Sequence, residues 1–145
     1  MNEQQKSYLV VMARWQNFLG ILAAIGAGFI ILAGLMFLVM GIAFGSEMSD
    51  DLPFGQLGGV GVSIVGGSYM LLSVIYIVLA VYQIRAAKNL RIWAATDREE
   101  NLTEGLKNTK SFFKFNGIMA IVGIALYVIL IIVMIVILGT AALSL

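Results

Sequence analysis

Three stretches of this chain, at about 17–44, 57–84 and 115–143, carry no Asp, Glu, Lys or Arg in their interior. About 20 helical residues cross a ~30 Å hydrocarbon core, so each stretch is long enough to span a bilayer. In lipid a backbone must satisfy its own polar groups, which leaves the α-helix as the form such runs can take. Between the second and third lies the segment 85–114, which holds seven of the nine basic residues: Arg85, Lys88, Arg91, Arg98, Lys107, Lys110 and Lys114. That segment belongs in water. With 61% hydrophobic and only 12% charged residues, the composition also falls outside the range of soluble domains. The predicted fold is an all-α integral membrane protein, one domain over 1–145, with three transmembrane helices and a cytoplasmic helical hairpin between the second and third.

Orientation follows from the distribution of lysine and arginine. The leader carries Lys6 and Arg14, segment 85–114 carries the rest, and the loop between the first two spans carries none. Basic residues are retained on the cytoplasmic side. The expected topology is multi-pass, N-terminus cytoplasmic and C-terminus periplasmic. The first run is too long for the core of a secretory signal and is read as a retained first span.

The chain has no cysteine and no histidine, which removes the commonest ligands for zinc, copper, haem and iron–sulfur centres. No metal, cofactor or catalytic residue is therefore assigned. Ion-coupled transporters and intramembrane hydrolases place ionisable residues at mid-bilayer depth, and the spans contain none. Glu47, Asp50 and Asp51 of the first loop lack regular ligand spacing and read as solvated carboxylates. The net charge of +1 and the acidic residues interleaved in the hairpin argue against nucleic acid.

The leader Met1–Ser7 is expected to be frayed, followed by an interfacial turn or two and by Trp15 and Phe18 as headgroup anchors. Within the spans the candidate helix-packing residues are small ones at helical spacing: Gly20, Ala24 and Gly28 in the first, and Gly59, Ser63 and Gly67 in the second. The second span also carries a weakly polar stripe of Gly66, Tyr69, Ser73, Tyr76, Ala80 and Gln83. The stripe suits helix packing, or else the wall of a polar pathway. Glycines at the start of the second span leave a re-entrant entry as an alternative to a continuous helix.

The hairpin is expected to comprise a helix over 85–95, a break, and a second helix from about 97 to 114. Thr96 with Glu99, or Asp97 with Glu100, has the spacing of a capping box, and Leu102, Leu106, Thr109 and Phe113 fall at helical spacing. Arg85, Lys88, Arg91, Lys107, Lys110 and Lys114, with Phe112 and Phe113, are the candidate surface for docking lipid headgroups or a partner. An internal likeness, F-x-G-I-x-A-x-x-G at Phe18–Gly26 and again at Phe115–Gly123, is of the kind that so biased a composition readily produces, with duplication the lesser reading.

Lys110-Ser-Phe-Phe-Lys-Phe-Asn-Gly-Ile118, the following Ala125-Leu-Tyr127, and the upstream Asp97 and Asn101-Leu-Thr-Glu-Gly-Leu106 carry a family resemblance. The chain resembles, from the end of its second span onward, an uncharacterised domain-of-unknown-function family of small bacterial inner-membrane proteins of Bacteroidota type. The resemblance implies a bacterial inner-membrane location and the same topology. It supplies no catalytic residues.

The function expected from these readings is that of a non-catalytic structural or accessory subunit of an inner-membrane complex, acting through helix packing and a cytoplasmic docking hairpin. Three helices with small-residue faces bury little alone, so the expected partners are membrane lipids, further copies of the chain or a larger membrane complex. The alternative is an oligomeric pore or small-solute channel lined by the polar stripe.

Overall fold

The computed structural model describes residues 1–44 and 58–144, and among them every element is helical. Helix α1 spans Glu3–Phe44, α2 Gly58–Thr96 and α3 Glu99–Leu143. All three are long and apolar enough to cross a membrane. The acidic loop with Glu47, Asp50, Asp51 and Pro53, and the entry to the second span at Leu57, lie outside the described residues. With 42, 39 and 45 residues the helices are roughly 60–70 Å long, about twice a hydrocarbon core. Each apolar rod therefore continues well beyond any lipid it crosses.

Two sequence expectations change here. The leader is neither frayed nor set apart from the first span, because α1 runs unbroken from Glu3. Its start is held by local polar contacts: the Asn2 side-chain oxygen accepts the Gln4 amide at 2.6 Å, and the Gln5 side-chain oxygen accepts the Asn2 amide at 3.1 Å. The break in the charged segment falls where it was expected, but no capping box closes it. The Thr96 hydroxyl instead donates back to the Ile92 carbonyl at 2.7 Å, as a residue of the preceding helix does. Asp97 takes the left-handed conformation, φ 53°, with its amide bonded to the Trp93 carbonyl at 2.7 Å. Arg98 then opens α3, its carbonyl accepting the amides of Asn101 and Leu102 at 3.1 and 3.4 Å.

The chain divides into two compact units, Met1–Thr109 and Lys110–Leu145. In the first, α1 and α2 run antiparallel along a seam of small residues. On α1 the buried positions Ala13, Gly20, Ala27, Gly34 and Gly41 recur every seven residues. On α2 the buried Gly66, Ser73, Ala80 and Ala87 do the same, and Gly59 extends the series. The two series meet in register. A methyl group at Gly41 would lie 2.9 Å from the Gly59 carbonyl and against the Ser63 hydroxyl; one at Gly34, 3.1 Å from the Gly66 carbonyl; one at Gly20, 3.3 Å from the Ala80 carbonyl. Backbones this close leave space for hydrogen or a methyl group only. A strict seven-residue repeat holds the seam together over the full length through left-handed supercoiling.

At the polar end of the same unit, the first four turns of α1 and the first turns of α3 close on α2. Ala13, Ala87 and Leu90 form a buried cluster, with Met12 and Leu102 packed against it. The charged segment is thus not a free-standing hairpin, because the N-terminal part of α1 packs with it as a third helix. The second unit continues α3 as a helical rod whose side chains from Ala120 to Leu143 are exposed.

Candidate functional site

The polar end of the first unit is where the chain brings chemistry together. Lys6 of α1 donates to Asp97 Oδ1 at 2.6 Å and lies 5.6 Å from the centre of the Trp93 ring. The left-handed turn presents the Asp97 carboxylate to Lys6, and Trp93, one turn earlier on α2, supplies an aromatic face for the cation. Lys6 therefore ties the start of α1 to the α2–α3 turn. The hydrogen bond to Asp97 holds the Lys6 ammonium above the usual lysine range, against a smaller opposing effect of partial burial.

That direction fixes the sign of a pH effect. A raised lysine pKa stabilises the fold fully below the unfolded value near ~10.4, and the contribution is lost as pH rises through the higher folded value. The melting temperature of the wild type minus that of Lys6→Met should stay constant from neutral pH to about pH 10 and then fall toward zero in stronger alkali. A difference that disappears between pH 7 and 9 would contradict the tether.

One turn inward from the cluster, Gln16 Nε2 donates to Thr109 Oγ1 at 3.1 Å, while the Thr109 hydroxyl donates to the Gly105 carbonyl at 3.0 Å. Gln16 is 8% exposed and Gln83 7%, so two carboxamides lie buried near the end of the seam. The Oε1 of Gln16 has no hydrogen-bond partner among the described residues. Asn108, also buried, donates to the Glu104 carbonyl of its own helix at 2.9 Å. Gly105 admits the neighbouring helix: a methyl there would meet Leu90 Cγ at 2.8 Å.

The face that α3 buries is therefore Leu102, Gly105, Asn108 and Thr109. The expected stripe of Leu102, Leu106, Thr109 and Phe113 is rotated from it, since Leu106 and Phe113 are exposed. The apolar residues alone point to the wrong side. The side that packs contains glycine and asparagine, because Leu90 fills the space a larger side chain would need.

The small residues singled out in the sequence separate into two groups. Gly20, Gly59 and Ser63 lie in the α1–α2 seam. Ala24 and Gly28 are exposed, and nothing approaches within 4 Å of a methyl built on Gly28 or Gly67. Within the stripe, Gly66, Ser73, Ala80 and Gln83 are buried. Ser73 satisfies its hydroxyl on the Met70 carbonyl at 2.6 Å. Tyr69 is half-buried, with its ring 5.7 Å from that of Phe37, and Tyr76 is exposed. Sequence reasoning missed Ala13, Ala27, Gly34 and Gly41 on α1, and Lys6, Trp93 and Leu90 at the polar end. The seven-residue spacing shared by both helices is the signal that would have found the first four.

The candidate docking residues are where their charge demands. In the first unit Arg85, Lys88, Arg91 and Lys107 are exposed. In the second, Lys110 and Lys114 are exposed, and the rings of Phe112 and Phe113 meet edge to face at 5.3 Å. Of the two copies of the F-x-G-I-x-A-x-x-G pattern, the first places Gly20 in the seam, while nothing lies within 4 Å of a methyl on Gly117 in the second.

No curated protein and no solved structure matches the chain. A family model does, and it reaches further upstream than the resemblance in the sequence, taking in all of α2 and α3 as far as residue 136. Matching that model over residues 54–136, more than half of its length, the chain belongs to the family of unknown function DUF5362.

Proposed function

We propose that this chain is a multi-pass protein of a bacterial inner membrane, working without catalysis as a structural or accessory subunit. Its N-terminus and the α2–α3 turn lie in the cytoplasm and its C-terminus in the periplasm, by the distribution of lysine and arginine. It acts by packing; the basic residues around the turn in the first unit, and separately Lys110, Phe112, Phe113 and Lys114 in the second, each offer a surface for a cytosolic partner or for lipid headgroups.

The observation that carries this reading is the fate of the polar stripe on α2. In a pore the stripe would face a lumen, but Gly66, Ala80 and Gln83 lie against α1, and Ser73 between them is buried. What fills the seam is glycine, alanine and serine: shape, without a group that titrates near neutral pH. The outward faces carry large apolar side chains such as Phe29, Leu32, Met36, Leu71 and Val74, which suit lipid or further helices.

Purification in mild detergent followed by mass spectrometry of co-migrating chains tests the proposal. A larger assembly, of this chain with itself or with others, is the expected result. Recovery of a homogeneous monomer alone would contradict it. Reconstituted chain that made vesicles permeable to small solutes would favour the pore.

A further inference from the structure

Three clefts follow one another along α1. The first is lined by Glu3, Lys6, Ser7, Val10, Val11 and Arg14, the second by Arg14, Trp15 and Phe18, and the third by Ile25, Gly28, Phe29, Ile31 and Leu32. Arg14 is common to the first two. It is exposed, and it has no ion-pair partner among the described residues, whereas Lys6 is engaged by Asp97. Below it the Trp15 and Phe18 rings meet edge to face at 6.0 Å and form an aromatic wall. Further down, the missing side chain of Gly28 leaves a notch between Ile25, Phe29 and Leu32 with nothing within 4 Å of where its methyl would be.

The lengths agree with one class of ligand. At ~1.5 Å per residue, Gly28 lies about 21 Å along the helix from Arg14. Half of a bilayer, headgroups included, is about 20–22 Å. With Arg14 at phosphate depth, Gly28 lies where the chains of that leaflet end. A guanidinium fits a phosphate through paired donors, tryptophan and phenylalanine suit the glycerol and upper-chain region, and the notch is apolar throughout. The only carboxylate lining these clefts, Glu3, shares the first of them with two cations, Lys6 and Arg14, so its charge balance favours an anionic over a zwitterionic headgroup.

Resting on the membrane reading above, we infer that α1 holds one anionic phospholipid along this face, its phosphate on Arg14 and an acyl chain running past Trp15 and Phe18 to the Gly28 notch. The lipid covers a face that the α1–α2 seam leaves open, and it fixes the depth of the first span.

Full-length protein in phosphatidylcholine vesicles containing equal fractions of brominated phosphatidylglycerol or brominated phosphatidylcholine tests this. The chain has two tryptophans, and subtracting the signal of Trp15→Phe isolates Trp15. Phosphatidylglycerol should be enriched about fivefold at Trp15, and Arg14→Gln should bring the ratio near one. Gly28→Leu should raise the lipid fraction needed for half-maximal quenching while the headgroup preference remains. Equal quenching by both lipids in the wild type, or a preference that survives Arg14→Gln, overturns the lipid site and leaves the membrane reading standing. An unshifted half-point in Gly28→Leu overturns the course of the acyl chain. Failure of either lipid to quench Trp15 overturns the membrane reading with it.

Discussion

Replacing Gly66 by leucine should separate α1 from α2, whereas the same change one residue later, at Gly67, should be nearly silent. A first side-chain carbon at Gly66 would lie 2.9 Å from both the Gly34 carbonyl oxygen and the Leu38 amide nitrogen, and 2.8 Å from Leu38 Cγ. Two of those atoms belong to the α1 backbone, so the helices themselves must move apart. Overpacking a core costs about 1–3 kcal/mol where side chains can yield, and here the backbone blocks that route, so the upper end or beyond is expected. At Gly67 nothing lies within 4 Å, and the change should stay within ~0.5 kcal/mol. Thermal unfolding of the two variants in the same detergent measures the contrast. Equal loss in both would show that a general intolerance of bulk, and not the seam, governs stability.

The second large effect is expected at the polar end. Leu90 is fully buried beside Ala13 and Ala87, so Leu90→Ala should cost about 2–5 kcal/mol through lost contacts and the cavity left behind. The neighbouring glycine makes this prediction sharper. A methyl at Gly105 collides with Leu90 Cγ and Cδ2 at 2.8 and 2.9 Å, so Gly105→Ala should destabilise the wild type. Once Leu90 is truncated those atoms are gone and the Leu90 amide nitrogen, at 3.2 Å, is the nearest remaining obstacle. The helix preference of alanine over glycine, about 1 kcal/mol, should then make Gly105→Ala neutral or stabilising. A double-mutant cycle reads the reversal directly. If Gly105→Ala had the same effect in both backgrounds, the start of α3 would not rest on Leu90.

The three long helices and the turn between α2 and α3 were legible because they depend on gross features. Uncharged apolar runs leave no alternative to helix in lipid, and the break at Asp97 and Arg98 stands in the most polar part of the chain. The register of the seam was not legible in the same way. Gly20, Ala24 and Gly28 are four residues apart, and each such step turns about 40° around a helix of 3.6 residues per turn. They leave the face that Gly20 starts on, and Ala24 and Gly28 end up exposed. Positions seven apart drift by only ~20°, which supercoiling removes, so Gly20, Ala27 and Gly34 stay together. In a chain with 16 glycines both spacings can be found, and only the match with a second helix selects between them.

The polar end was missed for a different reason. The charges of segment 85–114 mark only its surface, and they do point outward at Arg85, Lys88 and Arg91. Its interior comprises Ala87, Leu90 and Trp93 of α2, with Ala13 and Lys6 arriving from a leader far away in sequence. A pairing across that separation, such as Lys6 with Asp97, leaves no local pattern. Family membership adds that residues 54–136 recur as a unit, so α2 and most of α3 carry the shared part, while α1 lies outside the match.

The absence of cysteine makes one measurement unusually direct. Pairs of cysteines placed at Ala27 and Ser73, midway along the seam, should close an intramolecular disulfide on mild oxidation in the membrane. The pairs Ala24 with Ser73 and Gly28 with Ser73 should not. Cross-linking of the 24 or 28 pair in place of the 27 pair would mean that α1 meets α2 through its four-residue face, contradicting the seven-residue seam.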